Sequence, residues 1–454
     1  MDPRTLALHL KALPDTADSI AYVRQLSSKT VHQLLCRAEA AALPLLQPRC
    51  GVGNHAKMAA LLARLDSESD ADVLSLTVDS HTRLLNLPAA RSSLIQNPDD
   101  LNGYPLITHT WKQVRELTAS VSKPIQVRHG SPDARLLFEH SVAGGVTSFE
   151  GGGISYNVPY VKDFRIIDSI SAWQHVDRRA AEFAEYGIPI ERELFGTLTA
   201  VLVPPSLSIA ISALEGILAW REGVRAITVA YPQSGNAVQD VAALLATRTV
   251  FATLLPQMHV FPALHQYMGP FPLDLVVAAR LIEYGTAVGR RGGAVKIVTK
   301  TPVEAFGIPS VDDNIAGLRL ARAGLDAALT LPESEIDDER VAICAEVFEI
   351  LEPLCPVETL AARDIDNAFT AGTLDVPFCA SRQLPRRVIP MRAPDGSVRY
   401  CRSGGLSLSP RSQRRNHELL GLVDGTPADS ELVRRLAADI DYARRPTFLS
   451  ARTS

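Results

Sequence analysis

Short apolar runs rich in β-branched residues recur along the chain, each followed by glycine or polar residues and then by a stretch with helical spacing. These runs end near Arg49 (LLQPRCGVG), Asp79 (DVLSLTVDS), Arg128 (PIQVRHG), Glu150 (GVTSFEGGG), Phe195 (IERELFG), Tyr231 (AITVAYPQ), His265 (HVFPALHQ) and Lys300 (AVKIVTKTP). Most intervals between these ends suit one strand–loop–helix–loop repeat, and the interval from Asp79 to Arg128 has room for an insertion. Strands alternating with helices in this way predict an α/β chain built as a (β/α)8 barrel of the TIM type. The barrel is expected over 45–328, after an N-terminal helical region over 1–44. Over 329–454 the rhythm changes to an acidic helical stretch (Glu333 to Leu354), a hairpin around Pro394-Asp395-Gly396, and a last helix from Ser430 to Arg445. That pattern predicts a smaller C-terminal α+β extension.

In a parallel barrel the C-terminal strand ends open onto one face, so residues far apart in sequence converge there. One charge-free segment, Leu194 to Leu214, is long enough to cross a bilayer. Pro204, Pro205 and three serines point instead to a buried strand (Thr199 to Val203), a Pro-Pro turn and a helix starting near Ser206. No membrane span is expected.

Composition narrows the function classes. A formal charge of −4 over 454 residues provides no basic footprint for nucleic acid. The six cysteines form no CxxC pair and no secretory leader precedes them, which predicts reduced thiols in a cytoplasmic protein and no metal-binding residues.

Arginine outnumbers lysine 38 to eight, so a single arginine carries little information and usually lies on a solvated surface. Arg49, Arg83 and Arg128 differ because each sits at or just past a strand end, on the open face. Three guanidinium groups around one cavity are costly to desolvate unless anions pair with them, and the planar fork suits a carboxylate or phosphate. Glu150 is the acid placed on the same rim. Three positive charges against one negative imply an anionic ligand that also carries a cation, as a dicarboxylic amino acid does. Tyr156 and Tyr160, in ISYNVPY, are either hydroxyl donors to that ligand or ordinary amphipathic loop tyrosines. Lys300 could form a Schiff base, bind a phosphate or hydrogen-bond a cofactor, or simply pair with Glu304 on a helix surface. Asp79-Ser80-His81-Thr82-Arg83-Leu84 begins like a DxHxxG cobalt-histidine motif but has Leu84 where the glycine belongs, and Gly151 to Gly153 lacks the Lys-Ser/Thr of a phosphate loop.

Several longer motifs stand in register: RCGVG at 49–53, TVDSHTR at 77–83, LNGYP at 101–105, QVRHGSPDARLL at 126–137, TSFEGGGISYNVPY at 147–160, HQYMG at 265–269 and KTPVEAFGIP at 300–309. Together they resemble the epsilon subunit of glutamate mutase (methylaspartate mutase). The resemblance implies that Arg49, Arg83 and Arg128 form a claw for the two substrate carboxylates, with His129, Tyr156 and Tyr160 as further contacts. It implies that Glu150 meets the substrate ammonium and, with Arg128, serves catalysis. Contacts to adenosylcobalamin carry over to Gly51, Asn102, Pro159, Phe271, Lys300, Glu304 and Ile308. The implied reaction is a radical rearrangement of L-glutamate to threo-3-methyl-L-aspartate. The implied assembly is a heterotetramer of two large and two small subunits, the small one a separate cobalamin-binding protein. Tyr267, Pro270 and Val303 depart from the family's usual Trp, Gly and His, all on the cofactor side. Two other readings are a barrel lyase with Lys300 as its Schiff-base nucleophile and a non-catalytic dicarboxylate-binding homologue.

Overall fold

The computed structural model describes residues 3–27, 30–197, 201–357, 359–422 and 429–445. The eight expected barrel strands are all present: β1 (Leu45–Gln47), β2 (Leu74–Thr77), β3 (Ile125–Arg128), β4 (Ser148–Glu150), β5 (Glu191–Leu194), β6 (Ala226–Pro232), β7 (His259–His265) and β8 (Lys296–Val298). They form one all-parallel sheet in the order β1-β8-β7-β6-β5-β4-β3-β2. Backbone hydrogen bonds from Asp72 N to Leu46 O (2.8 Å) and from Thr77 N to Cys50 O (2.9 Å) join β1 to β2 and close the ring. The molecule is a (β/α)8 barrel of the TIM type.

The strands alternate in an uncommon way. Such barrels usually fill their interior with branched apolar side chains. Here Ile125 and Val127 alternate with Gln126 and Arg128, Glu191 and Glu193 flank Arg192, and Lys296 and Ile297 are neighbours, all buried. One face of the strands packs on the helices, and the other lines an interior that holds buried polar residues such as Gln47, Gln126, Glu191, Glu193 and Lys296 beside apolar ones such as Leu45 and Phe261.

Helices Pro205–Arg221 and Ala237–Leu254 are apolar nearly all round because helix Glu333–Leu351 of the C-terminal segment packs across them. Among the described residues only Ala237–Leu254 is long and apolar enough to cross a membrane, and most of it is buried within the fold. The strand expected over 199–203 is corrected. Thr199 and Ala200 lie outside the described residues, and Val201 to Val203 are buried without strand pairing. β5 already ends at Leu194 between β4 and β6, and a closed barrel leaves no free edge for another strand. Helix Pro205–Arg221 begins with proline in its first turn, as the Pro-Pro turn suggested.

Three helices, Pro3–Leu10, Thr16–Gln25 and Val31–Ala41, precede β1. In the C-terminal segment β9 (Ile389–Arg392) and β10 (Val398–Arg402) form the expected antiparallel hairpin. Arg392 ties it to the barrel by donating to Ser234 O (2.7 Å) and Val201 O (3.2 Å), and Arg399 pairs with buried Glu339 at 2.6 Å. The last helix spans Asp429–Ile440, and a 3-10 turn at Tyr442–Arg444 replaces its expected final turn.

Candidate functional site

The strand ends bring the expected substrate residues to one mouth of the barrel. Arg128, last in β3, is 3% exposed and Glu150, last in β4, is 1% exposed; Arg128 Nη2 and Glu150 Oε1 lie 2.6 Å apart. Arg128 Nη1 also donates to Gln126 Oε1 at 3.0 Å. Tyr156, on the turn after β4, donates its hydroxyl to the other oxygen of Glu150. Burial pushes the Glu150 carboxyl up to about 7; Arg128 pulls it down and Glu193 adds to the rise. Arg128 is held above its usual value, because the nearby carboxylates of Glu150 and Glu193 outweigh its burial.

The other two arginines are free of such partners. Arg49 follows β1, and its one side-chain hydrogen bond among the described residues is to Met268 Sδ at 3.6 Å. Burial, and then repulsion from Arg128, lower its pKa. Arg83 ends the short helix Ser80–Arg83, and its Nε is buried without a partner. Tyr160 keeps 39% of its surface exposed, but desolvation at its hydroxyl, and then Glu150, push that group up to about 12 while Arg49, Arg83 and Arg128 all pull it down, so three guanidinium groups act on one hydroxyl. His129 stacks on Trp173 at 5.7 Å and meets Tyr156 edge-on at 5.0 Å. Burial, aided by Arg192, holds it down at about 3, and its Nδ1 accepts from Ser131 N, so the neutral ring carries its proton on Nε2.

The expected charge balance needs correction. Glu150 is not the only acid, because Glu191 and Glu193 lie beneath it in the barrel interior. Lys296 Nζ sits 2.6 Å from each of them, and His265 Nε2 lies 2.7 Å from Glu193 and 3.8 Å from Glu150. Gln126 Nε2 donates to Glu193 at 2.8 Å, which connects this layer to Arg128. Burial holds His265 at about 4 even though Glu193 raises it. Ligand atoms of Glu150, Glu193 and His265 lie within 4.8 Å of one another, yet Lys296 and Arg128 already occupy the two carboxylates as cations. The clue to this network was the polar residue at every second position of IQVR and EREL, in strands too buried to have a solvent face. Glu215 had no such clue. It accepts from Ile154 N and Ser155 N, both at 2.7 Å, and so holds the turn that carries Tyr156.

The residues expected on the cofactor side group less completely. Gly51, Asn102, Glu304 and Ile308 line one cleft of about 220 Å³ together with Arg49. A side chain at Gly51 would lie 2.5 Å from Thr77 O, so glycine is required for that loop to rest on β2. Lys300 does not line this cleft; its Nζ lies 2.6 Å from Glu304, which does, and 5.9 Å from the centre of the Phe271 ring. Burial, and then Arg49, hold its amine down to about 8 against the pull of Glu304. The surface-pair alternative for Lys300 is excluded, since its side chain is 7% exposed. Pro159 is not among the residues lining this cleft; it precedes Tyr160 on the turn after β4. Of the three departures, Tyr267 is fully buried, whereas Pro270 and Val303 are half-buried in the loops after β7 and β8.

The family model described as Methylaspartate mutase E chain (MutE) matches residues 27–422. The chain belongs to the methylaspartate mutase E chain family. It is 39% identical to the glutamate mutase epsilon subunit of Halobacterium salinarum, over 94% of this chain and 91% of that protein. It is 38% identical to the glutamate mutase epsilon subunit of Desulfitobacterium hafniense (89% and 86%) and 37% identical to that of Escherichia coli O157:H7 (88% and 85%). In this member of the E chain family the Asp79–Leu84 run is a helix start: Asp79 accepts from His81 N at 2.9 Å and Thr82 N at 3.0 Å. The other motifs quoted from the sequence lie at the C-terminal ends of barrel strands or in the segments that follow them.

Proposed function

We propose that this chain is the large, substrate-binding subunit of an adenosylcobalamin-dependent glutamate mutase. It interconverts L-glutamate and threo-3-methyl-L-aspartate in the cytoplasm, with a small cobalamin-binding subunit and in an assembly of two large and two small chains. The observation that carries this reading is the charge arrangement at the mouth: one buried Arg128–Glu150 pair, and two guanidinium groups, on Arg49 and Arg83, with no carboxylate partner among the described residues. A ligand with two carboxylates and one ammonium completes that set. The carboxylates take up the guanidinium groups, the ammonium meets Glu150, and Tyr156 holds the second oxygen of Glu150 in place.

The chain also fits the implied cofactor. The cleft of Arg49, Gly51, Asn102, Glu304 and Ile308 includes one claw arginine, and the loops after β7 and β8 expose Leu273 (62%), Phe306 (62%) and Ile308 (77%), with Val276 (61%) in the first turn of helix Leu275–Arg291 that follows the β7 loop. Exposed apolar residues on two adjacent loops suit coverage by a partner and a large ligand. When bound, adenosylcobalamin supplies the radical chemistry of the rearrangement. Residues of this chain hold both ends of the substrate, bury the ammonium at Glu150 and keep water from the reacting carbons.

The test is anaerobic conversion of L-glutamate by the purified chain with and without its small subunit and adenosylcobalamin. Methylaspartate formed only when all three are present supports the reading. Tight glutamate binding without turnover, alongside a partner active with another large subunit, overturns it in favour of a binding protein.

A further inference from the structure

A second cavity, of about 930 Å³, lies beside the claw and takes no part in the chemistry above. Its walls come from the end of helix Pro3–Leu10 and the residues after it, from helices Ser80–Arg83, Leu87–Gln96 and Leu106–Ala119, and from the loops after β3 and β4. The inner wall contains Arg83, Ser131 and Val161. Arg83 belongs to the claw, Ser131 N donates to His129 Nδ1, and Val161 follows Tyr160, so this wall is the outer side of the substrate site.

Three features suit the cavity to a small anion in passage. Arg91 and His9 line its outer part, and Arg83 stands at the inner end with no side-chain hydrogen bond among the described residues. His140 lines it at 6% exposure with Nδ1 unpartnered, a neutral hydrogen-bonding group, because burial holds the ring down to about 4. Leu85 (φ 57°) and Thr110 (φ 73°) both line it with left-handed backbone, Thr110 interrupting helix Leu106–Ala119. Such conformations on non-glycine residues concentrate where a cavity or site requires them.

Position settles the role. The cofactor cleft is built from the loops after β1, β2 and β8, and the exposed apolar residues lie after β7 and β8. The cavity is lined by the segments that follow β2, β3 and β4 and by the residues after helix Pro3–Leu10. A partner and cofactor seated on the first sector close the axial entrance and leave the second open. We propose that this cavity is the side entrance through which the anionic amino-acid substrate reaches the claw, with Arg91 steering it in and Arg83 receiving it; the proposal rests on the function assigned above.

An entrance and a binding site respond differently to obstruction. Narrowing a path slows entry and exit by the same factor and leaves the equilibrium constant unchanged. The experiment measures association and dissociation of isotopically labelled L-glutamate by rapid mixing with the complex of this chain, its small subunit and cobalamin. Thr108→Trp, on the cavity wall, is expected to lower both rate constants together by about tenfold, within the range mutants of one interface span, with Kd unchanged. Leu87→Trp, also on the cavity lining, serves if the first variant is thermally unstable. Arg91→Glu is expected to lower association about tenfold at low ionic strength, with the deficit vanishing at high salt. Unchanged rate constants in both tryptophan variants, or a changed Kd with unchanged association, overturn the proposal. Failure of the functional reading shows separately, as absence of methylaspartate from the unmodified complex.

Discussion

Arg128→Lys separates the two tasks of the central arginine. The guanidinium bridges Glu150 Oε1 at 2.6 Å and Gln126 Oε1 at 3.0 Å, and at 3% exposure it has no water to substitute for either. A lysine keeps the charge but makes a single point contact where the fork makes two. Glu150 therefore remains paired. Gln126 Oε1 still accepts from Gln47 Nε2 at 2.5 Å, so no buried acceptor is orphaned. The fold then loses one hydrogen bond from a charged group, about 1.5–3 kcal/mol. A substrate carboxylate that meets Arg128 through an N–H group not used by Glu150 or Gln126 loses one charged hydrogen bond of similar size, which corresponds to roughly a 10- to 150-fold rise in Kd. Calorimetric titration of L-glutamate into the variant, beside its thermal unfolding, checks both. A Kd within twofold of the unmodified protein would show that Arg128 does not grip the ligand. A collapsed melting transition would show that its role is purely structural. Arg128→Met is the harsher comparison, because it strands Glu150 as a lone buried carboxylate, a loss of about 3–5 kcal/mol if it stays ionised.

Glutamate affinity should rise with pH and level off above about 7, because Glu150 must be ionised to meet the ammonium and its carboxyl is held up at about 7 by burial. The same raised value means that the folded protein binds more protons than the unfolded one, so this group's contribution to stability is complete below its usual 4.5 and is lost as pH rises through about 7. Titration calorimetry between pH 5.5 and 8.5 should show the rise, Glu150→Gln should flatten it, and a flat profile in the unmodified protein would refute the assignment. Glu215→Ala leaves the amides of Ile154 and Ser155 buried and unpaired, and scanning calorimetry should show a destabilisation of about 2–6 kcal/mol; an unchanged transition would mean that the Tyr156 turn holds itself. Lys296→Met removes the cation between Glu191 and Glu193, and should destabilise the barrel by about 3–5 kcal/mol, more at high pH than at low; a pH-independent effect would contradict the ionised network.

The sequence alone determined the strand rhythm and with it the barrel, because a parallel β-strand and its return helix leave a local pattern of apolar runs and breakers that needs no knowledge of partners. It also placed Arg128 and Glu150 at strand ends, where β3 and β4 do end, and Arg49 and Arg83 just beyond, so their meeting at one mouth followed from topology. Only the tertiary structure decided how those charges are shared. Period-two alternation in EREL shows that side chains point two ways, but the partners of Glu191 and Glu193 come from across the barrel: Lys296 is 105 residues from Glu191 and His265 is 72 from Glu193. Pairing over such separations is set by ring closure, and it turns an expected set of three arginines and one acid into a paired Arg128 and two waiting guanidinium groups. Closure likewise removed the strand expected near Val201 to Val203, a run whose local pattern was sound. The division follows from range: neighbours in sequence set the elements, and only the assembled barrel, by desolvating charges against one another, sets which of them a ligand can still reach.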